Sequence, residues 1–232
     1  MKCSKVEKYI IVQNKPILNL GEVILLLYIN IENVDQMYED LKRMVVKRKL
    51  EFNAFTEFLE KETTWLISPA STKYHLAVEK GLLIHSVGVT YNLIEIKRVM
   101  LPQIDDEVCI IIGLFHDVGK LGMPNKPLYL KNESGYHYNP DSVSMGLAVR
   151  SLYLISQFLK LTDDEAQAIA YHDGQYIDEN KIVAHRESPL TLLVHYADYW
   201  TAHVYEDDSM RKKIIEEDSW SVLQNRGERI PG

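Results

Sequence analysis

Helices that otherwise demand complete burial are interrupted, in this chain, by histidines and aspartates. His85 lies within GLLIHSVGV, and His116 and Asp117 close IIIGLFHDVGK. His172 and Asp173 end AQAIAYHDG, while His195 and Asp198 fall within LLVHYADYW. A buried carboxylate is costly enough that it normally neutralises, pairs or binds a metal, and Asp198 is the sharpest case. One such histidine is most often a hydrogen-bonded core residue. Several helices that each carry one to a core-facing position point instead to a mixed nitrogen and oxygen metal site. That donor set suits Mn, Fe, Ni, Zn or Mg without selecting among them. His116 and Asp117 diverge by about 100° on a helix, so they share an ion only if it lies over the edge between them. Gly119 is expected to turn the chain away there and open that edge to solvent.

The pattern around these residues is helical. Val34, Met37, Leu41, Met44 and Val45 recur at three- and four-residue steps, and a second short helix is expected over Ala54 to Lys61. A long helix apolar on nearly every side begins near Gly81, belongs at the centre of the fold and ends before Pro102. Asp105 opens the next, with acidic residues suited to the dipole. Residues 122–140 read as the longest loop, and such loops in compact domains are usually functional or mobile. Further helices are expected over Asp141 to about Leu159, after the Thr162/Glu165 capping box, from Pro189 onward, and over MRKKIIEE. Before residue 34, KYIIVQ and VILLLYINI read as short strands around a turn at Pro16 and Gly21. The fold class is therefore mostly α: residues 1–64 form an N-terminal extension with short strands and helices, and 65–232 a helical domain.

Composition narrows the function classes. Hydrophobic residues make up 46% and charged residues 25% of 232, the mix of a globular protein able to bury a core. The formal charge of −7 argues against an extended nucleic-acid surface. The basic groups Arg43, Lys47, Arg48, Lys49 and Arg211, Lys212, Lys213 read as solvated helix faces. No apolar stretch reaches the roughly 18 residues of a membrane span, and MKCSKVEKY lacks a signal peptide's apolar middle. With Cys109 read as a core residue, a cytoplasmic protein is expected.

The ordered set His85, His116–Asp117 and distant Asp198 resembles the H…HD…D signature of the HD-domain superfamily. HDVGK is similar to family members with a lysine three residues after the aspartate. GLLIHS is similar to the GGLLEHS of HD-type exoribonucleases and phage-borne HD proteins, with Lys80 and Ile84 replacing the first glycine and the glutamate. The resemblance spans roughly residues 68 to 206. It implies an HD-type helical bundle and His85, His116, Asp117 and Asp198 as ligands of a divalent metal. It implies Lys120 over the substrate phosphate, Asp117 orienting water, and His172 serving a second metal or the phosphate. Many two-metal relatives carry a further histidine near Leu147; its absence favours one metal, with His137 a distant substitute. His75, Lys73, Arg150 and Tyr199 are weaker substrate-binding candidates, for each of which packing or surface exposure is the commoner role, and His195 is a candidate support for Asp198.

Three activities fit this reading. The first is a metal-dependent phosphohydrolase acting on a small phosphorylated substrate such as a nucleotide. The second is a 3′–5′ exonuclease on short single strands, and the third a non-catalytic nucleotide-binding module.

Overall fold

A computed structural model describes residues 32–210. The N-terminal strand pair expected before residue 31, the second basic group and the helix expected over MRKKIIEE lie outside these residues, apart from Met210. Among the described residues the fold is mostly α. In chain order the principal helices are α1 (Val34–Met44), α2 (Lys49–Glu62), α3 (Gly81–Met100), α4 (Asp106–Phe115), α5 (Leu147–Ser156), α6 (Asp163–Tyr171) and α7 (Pro189–Trp200). Short 3-10 turns follow α4 and α6, and a π-helical turn over Thr201–Tyr205 follows α7. Helix α2 begins five residues before the expected Ala54, because Arg48 anchors its first turn.

Helix α3 is the axle of the bundle, as its all-round apolarity demands: its residues from Gly81 to Thr90 are buried without interruption. Helix α4 crosses it closely. A Cβ on Gly113 would stand 2.6 Å from Thr90 Oγ1 and 2.7 Å from its Cα, so only glycine permits this approach. Phe115 closes α4 in an aromatic knot, its ring 4.8 Å from Phe55 in a T-shaped pair and 5.5 Å from Phe52. Helices α1 and α2 join the same hydrophobic core as the later helices.

Polar anchors define the element ends. The Asp105 side chain accepts from the Glu107 amide to start α4. The Thr162/Glu165 capping box forms in both directions at α6. Ser188 caps α7, ahead of Pro189. Arg48, expected on a solvated face, instead reaches two buried carboxylates, Glu107 and Glu165.

The stretch 122–140 is not a structureless loop. It folds into two antiparallel hairpins, β1 (Gly122–Met123) with β2 (Lys126–Pro127) and β3 (Tyr129–Asn132) with β4 (Gly135–Tyr138). Asn125 turns the first at φ 63°, a conformation asparagine tolerates. At the second turn the Asn132 side chain accepts from the Ser134 amide. Opposed Tyr129 and Tyr138 pack with ring centroids 5.4 Å apart. These turn residues were visible, but short strands leave too little alternation to mark. Helix α5 starts at Leu147, later than expected, because Arg150 holds the carbonyls of Val143 and Met145 in non-helical positions.

Candidate metal centre

The centre forms where α3, the end of α4, the end of α6 and the last turns of α7 converge. His85 comes from the middle of α3. His116 and Asp117 follow the last residue of α4, where the helix stops: His116 keeps helical angles, but Asp117 moves to φ −108° and ψ 9°. That break relaxes the helical divergence of about 100° between adjacent side chains. His172 caps α6 in the same manner, and Asp198 lies in α7.

The donor atoms are close. His85 Nε2 lies 3.1 Å from Asp198 Oδ1 and 3.5 Å from Asp117 Oδ2. His116 Nε2 is 3.7 Å from Asp117 Oδ2 and 3.9 Å from Asp198 Oδ1. His172 Nε2 stands 3.5 Å from the other Asp117 oxygen, Oδ1, and 3.8 Å from Asp173 Oδ2. Ligand bonds of about 2.1 Å place neighbouring donors roughly 3.0–3.5 Å apart, so the cluster is near the size of a coordination shell.

The tautomers agree with that use. Nδ1 of His116 donates to the Gly113 carbonyl and Nδ1 of His172 to the Ile169 carbonyl, each at 2.8 Å. Nδ1 of His85 lies 2.9 Å from Glu206 Oε1. With each Nδ1 engaged, each Nε2 lone pair turns to the carboxylates, the arrangement of metal-bound imidazoles. Nε2 of His116 is buried without a hydrogen-bond partner. The orphaned acceptor of His116, beside the Nε2 atoms of His85 and His172 and facing two carboxylates, fits a divalent cation well.

Electrostatics follow from burial and charge. Burial opposes protonation of His85, yet Glu206 and Asp198 outweigh it and carry the imidazole up to about 10. His172 is likewise desolvated but raised to about 9 by Asp117. Burial dominates at His116 and takes it down to about 4. Asp117 and Asp198 stay well below the ordinary carboxylate range: against burial, Lys120 and His116 hold Asp117 ionised and His85 holds Asp198. Protons on two imidazoles thus offset charge that a cation would neutralise by displacing them.

A cavity of about 390 Å³ opens over His85, Asp117 and Asp198. Asp198, expected to be buried, has a side chain 17% exposed into it. Lys120 stands at its side with Nζ 2.5 Å from Asp117 Oδ2. Burial disfavours its charge, but Asp117 and Asp198 outweigh this and keep the ammonium above the usual lysine range. His75, Tyr199 and His195 also line the cavity, and His195 Nδ1 donates to the His172 carbonyl. Across the opening Tyr176 stacks on Tyr199 with centroids 5.8 Å apart and planes at 6°, and Tyr199 sits 4.3 Å from His203.

Several expectations are corrected. Arg150 is no phosphate clamp: it is buried, and its guanidinium donates to the carbonyls of Gly119 at 2.8 Å and Val143 at 2.6 Å. Lys73 is exposed, in a bend of the chain, and does not line the cavity. His137 is exposed on β4, opposite Leu130, and offers no substitute ligand. Gly119 opens nothing to solvent: it is buried, and a Cβ there would meet the Leu147 carbonyl at 2.1 Å. Glu206 and Tyr176 were missed. Glu206 closes the helix expected from Pro189 but falls about 80° from Asp198 by α-helical counting, and Tyr176 lies in a short 3-10 turn. Asp173 was visible beside His172, but nothing in the sequence directed it to the cavity.

The chain matches no curated protein and no solved structure in these comparisons. The HD domain family matches residues 82–203. That span holds His85, the His116–Asp117 pair, Lys120 and Asp198, and more than half of the chain. This chain belongs to the HD domain family, whose members are generally metal-dependent hydrolases.

Proposed function

We propose that the protein hydrolyses a phosphoester of a small phosphorylated substrate, a nucleotide above all, with His85, His116, Asp117 and Asp198 holding a divalent cation. The observation that carries this reading is the convergence of three buried imidazole Nε2 atoms, of His85, His116 and His172, on two ionised carboxylates, with that of His116 left without a hydrogen-bond partner. Mn, Fe, Ni, Zn and Mg all suit the donor set. Bound there, the cation supplies Lewis-acid polarisation of a phosphoryl oxygen and a lowered pKa for water.

The chain's own residues do the rest. Lys120, kept charged beside Asp117, faces the cavity and offsets the charge that builds on the phosphoryl oxygens. Asp117 positions Lys120 through one oxygen and faces His172 through the other. His172, fixed by the Ile169 carbonyl, is held at the edge of the donor cluster, where it serves the phosphate or a further ion. Tyr199 and Tyr176 offer flat faces to a base. His75 borders the same cavity. Its volume is that of a pocket for one small molecule, which favours a nucleotide over a strand. Residues 65–232 are the catalytic segment in this reading, with the first 64 as its extension. A cytoplasmic setting accords with the free, buried thiol of Cys109.

The test is phosphate release from a panel of nucleotides, and nitrophenol release from bis-p-nitrophenyl phosphate, by chelator-stripped protein reloaded with each metal. Turnover that requires metal and falls by about 100-fold or more in Asp117→Ala is expected. A metal-loaded wild type that binds nucleotide without hydrolysing any of these would leave a binding module. Preferential cleavage of short single strands would indicate an exonuclease.

A further inference from the structure

Glu206 Oε1 lies 2.9 Å from Nδ1 of His85, while Asp198 Oδ1 lies 3.1 Å from Nε2 of the same ring. Both carboxylates therefore come from one stretch of chain and face the two nitrogens of one imidazole. Glu206 stands eight residues after Asp198. In a continuous α-helix, at about 100° per residue, that separation leaves the two side chains about 80° apart. The chain does not continue as an α-helix. It widens over Thr201–Tyr205, where the Glu206 amide donates to the Thr201 carbonyl at 3.0 Å, a π-type bond. The one extra residue of such a turn takes back about 100°, which leaves Glu206 within about 20° of Asp198.

The widening is braced from the helix that carries His85. Asn92 Nδ2, on α3, donates to the Ala197 carbonyl at 3.0 Å, and the Thr201 hydroxyl donates to it at 2.7 Å. The Glu206 side chain is 5% exposed. Its second oxygen is buried without a hydrogen-bond partner, 3.8 Å from Nε2 of His75. An acidic group would not be buried between two histidines for packing alone, since its desolvation is costly.

We infer that Glu206 is the positioning residue of the metal centre, delivered by the π turn to hold Nδ1 of His85 so that only Nε2 meets the cation. It is not a ligand. It fixes the tautomer and ring plane of one, and by its charge makes that imidazole a stronger donor. The inference rests on the metal-centre reading given above.

The experiment is titration of chelator-stripped full-length protein with Mn²⁺ and, in parallel, Zn²⁺, followed by calorimetry, for wild type, Glu206→Gln and Glu206→Ala. Circular dichroism and metal-free melting temperature are recorded for each. Glu206→Gln keeps an oxygen acceptor for Nδ1 and loses the charge; Glu206→Ala loses both. The expected result is graded weakening of metal binding, about 10-fold for Gln and about 100-fold for Ala. Binding within about twofold of wild type in folded variants would overturn the role of Glu206 while leaving the centre intact. Equal losses in the two variants would overturn the orienting hydrogen bond. If Glu206→Ala does not fold, Glu206→Gln decides by the same margins. A wild type that takes up neither ion overturns the centre and this inference together.

Discussion

Arg48 lays its guanidinium along the carboxylate of Glu165, Nη2 2.7 Å from Oε1 and Nη1 3.1 Å from Oε2, with the Glu165 side chain only 2% exposed. Its Nε also donates to Glu107 at 3.3 Å. One cation at the start of α2 thus ties α4 to α6, the helices whose ends present His116 and His172. Removing it strands a buried charge, which typically costs about 3–5 kcal/mol. Arg48→Ala is therefore expected to lose stability on that scale in urea unfolding. A loss under about 1 kcal/mol would show the pair to be no stronger than a surface ion pair.

Glu107 gives the acid limb of the stability profile a definite sign. Burial alone would raise its pKa, but amide donors of Lys47, Val46 and Arg48 and the Arg48 guanidinium outweigh burial and hold the carboxyl below its ordinary value. A folded-state pKa below the unfolded one contributes stability fully present above the unfolded value, about 4.3, and lost as pH falls through the folded value. Urea unfolding between about pH 3 and 7 should therefore give a wild-type stability that drops below about pH 4.5. Glu107→Gln should be less stable at neutral pH and fall less steeply in acid. Parallel curves for the two proteins would remove Glu107 from the acid response.

Arg150 separates bracing from substrate binding. Its guanidinium donates to the carbonyl of Gly119, the residue before the cavity lysine, and to that of Val143. Arg150→Ala removes a buried donor that these carbonyls share and should cost about 1–3 kcal/mol. The KM of the folded fraction should stay near wild type. A raised KM at unchanged stability would restore the phosphate-clamp role that its burial denies it.

The sequence made much of this legible, because each of the readable features is set by local chemistry. Gly81, Asp105, Thr162 with Glu165, and Pro189 mark helix starts through caps and first turns, and the structure places helices at each. His85, His116, Asp117, His172 and Asp198 could be singled out because each interrupts an apolar helix. Their convergence was carried by the ordered motif. What remained hidden depends on contacts made far along the chain. Arg48 looks like any member of a basic run until Glu165 meets it from α6. Arg150 looks available for phosphate until its neighbours' carbonyls enclose it. Glu206 falls on the wrong face by α-helical counting, and only the π turn corrects the count.

The wall of Tyr176, Tyr199 and His203 differs from the floor of the centre in how it is held. Tyr176 is 75% and Tyr199 42% exposed, and they meet each other and the cavity rather than the core. Floor residues such as His116 are fixed from Gly113, whose carbonyl accepts from the imidazole and whose missing Cβ admits the crossing helix at Thr90. Surface rings contribute little to folding, so they are free to vary where the floor is not. Exchanging these three rim side chains can therefore reshape the mouth of the cavity while leaving the buried floor, and the fold that holds it, in place.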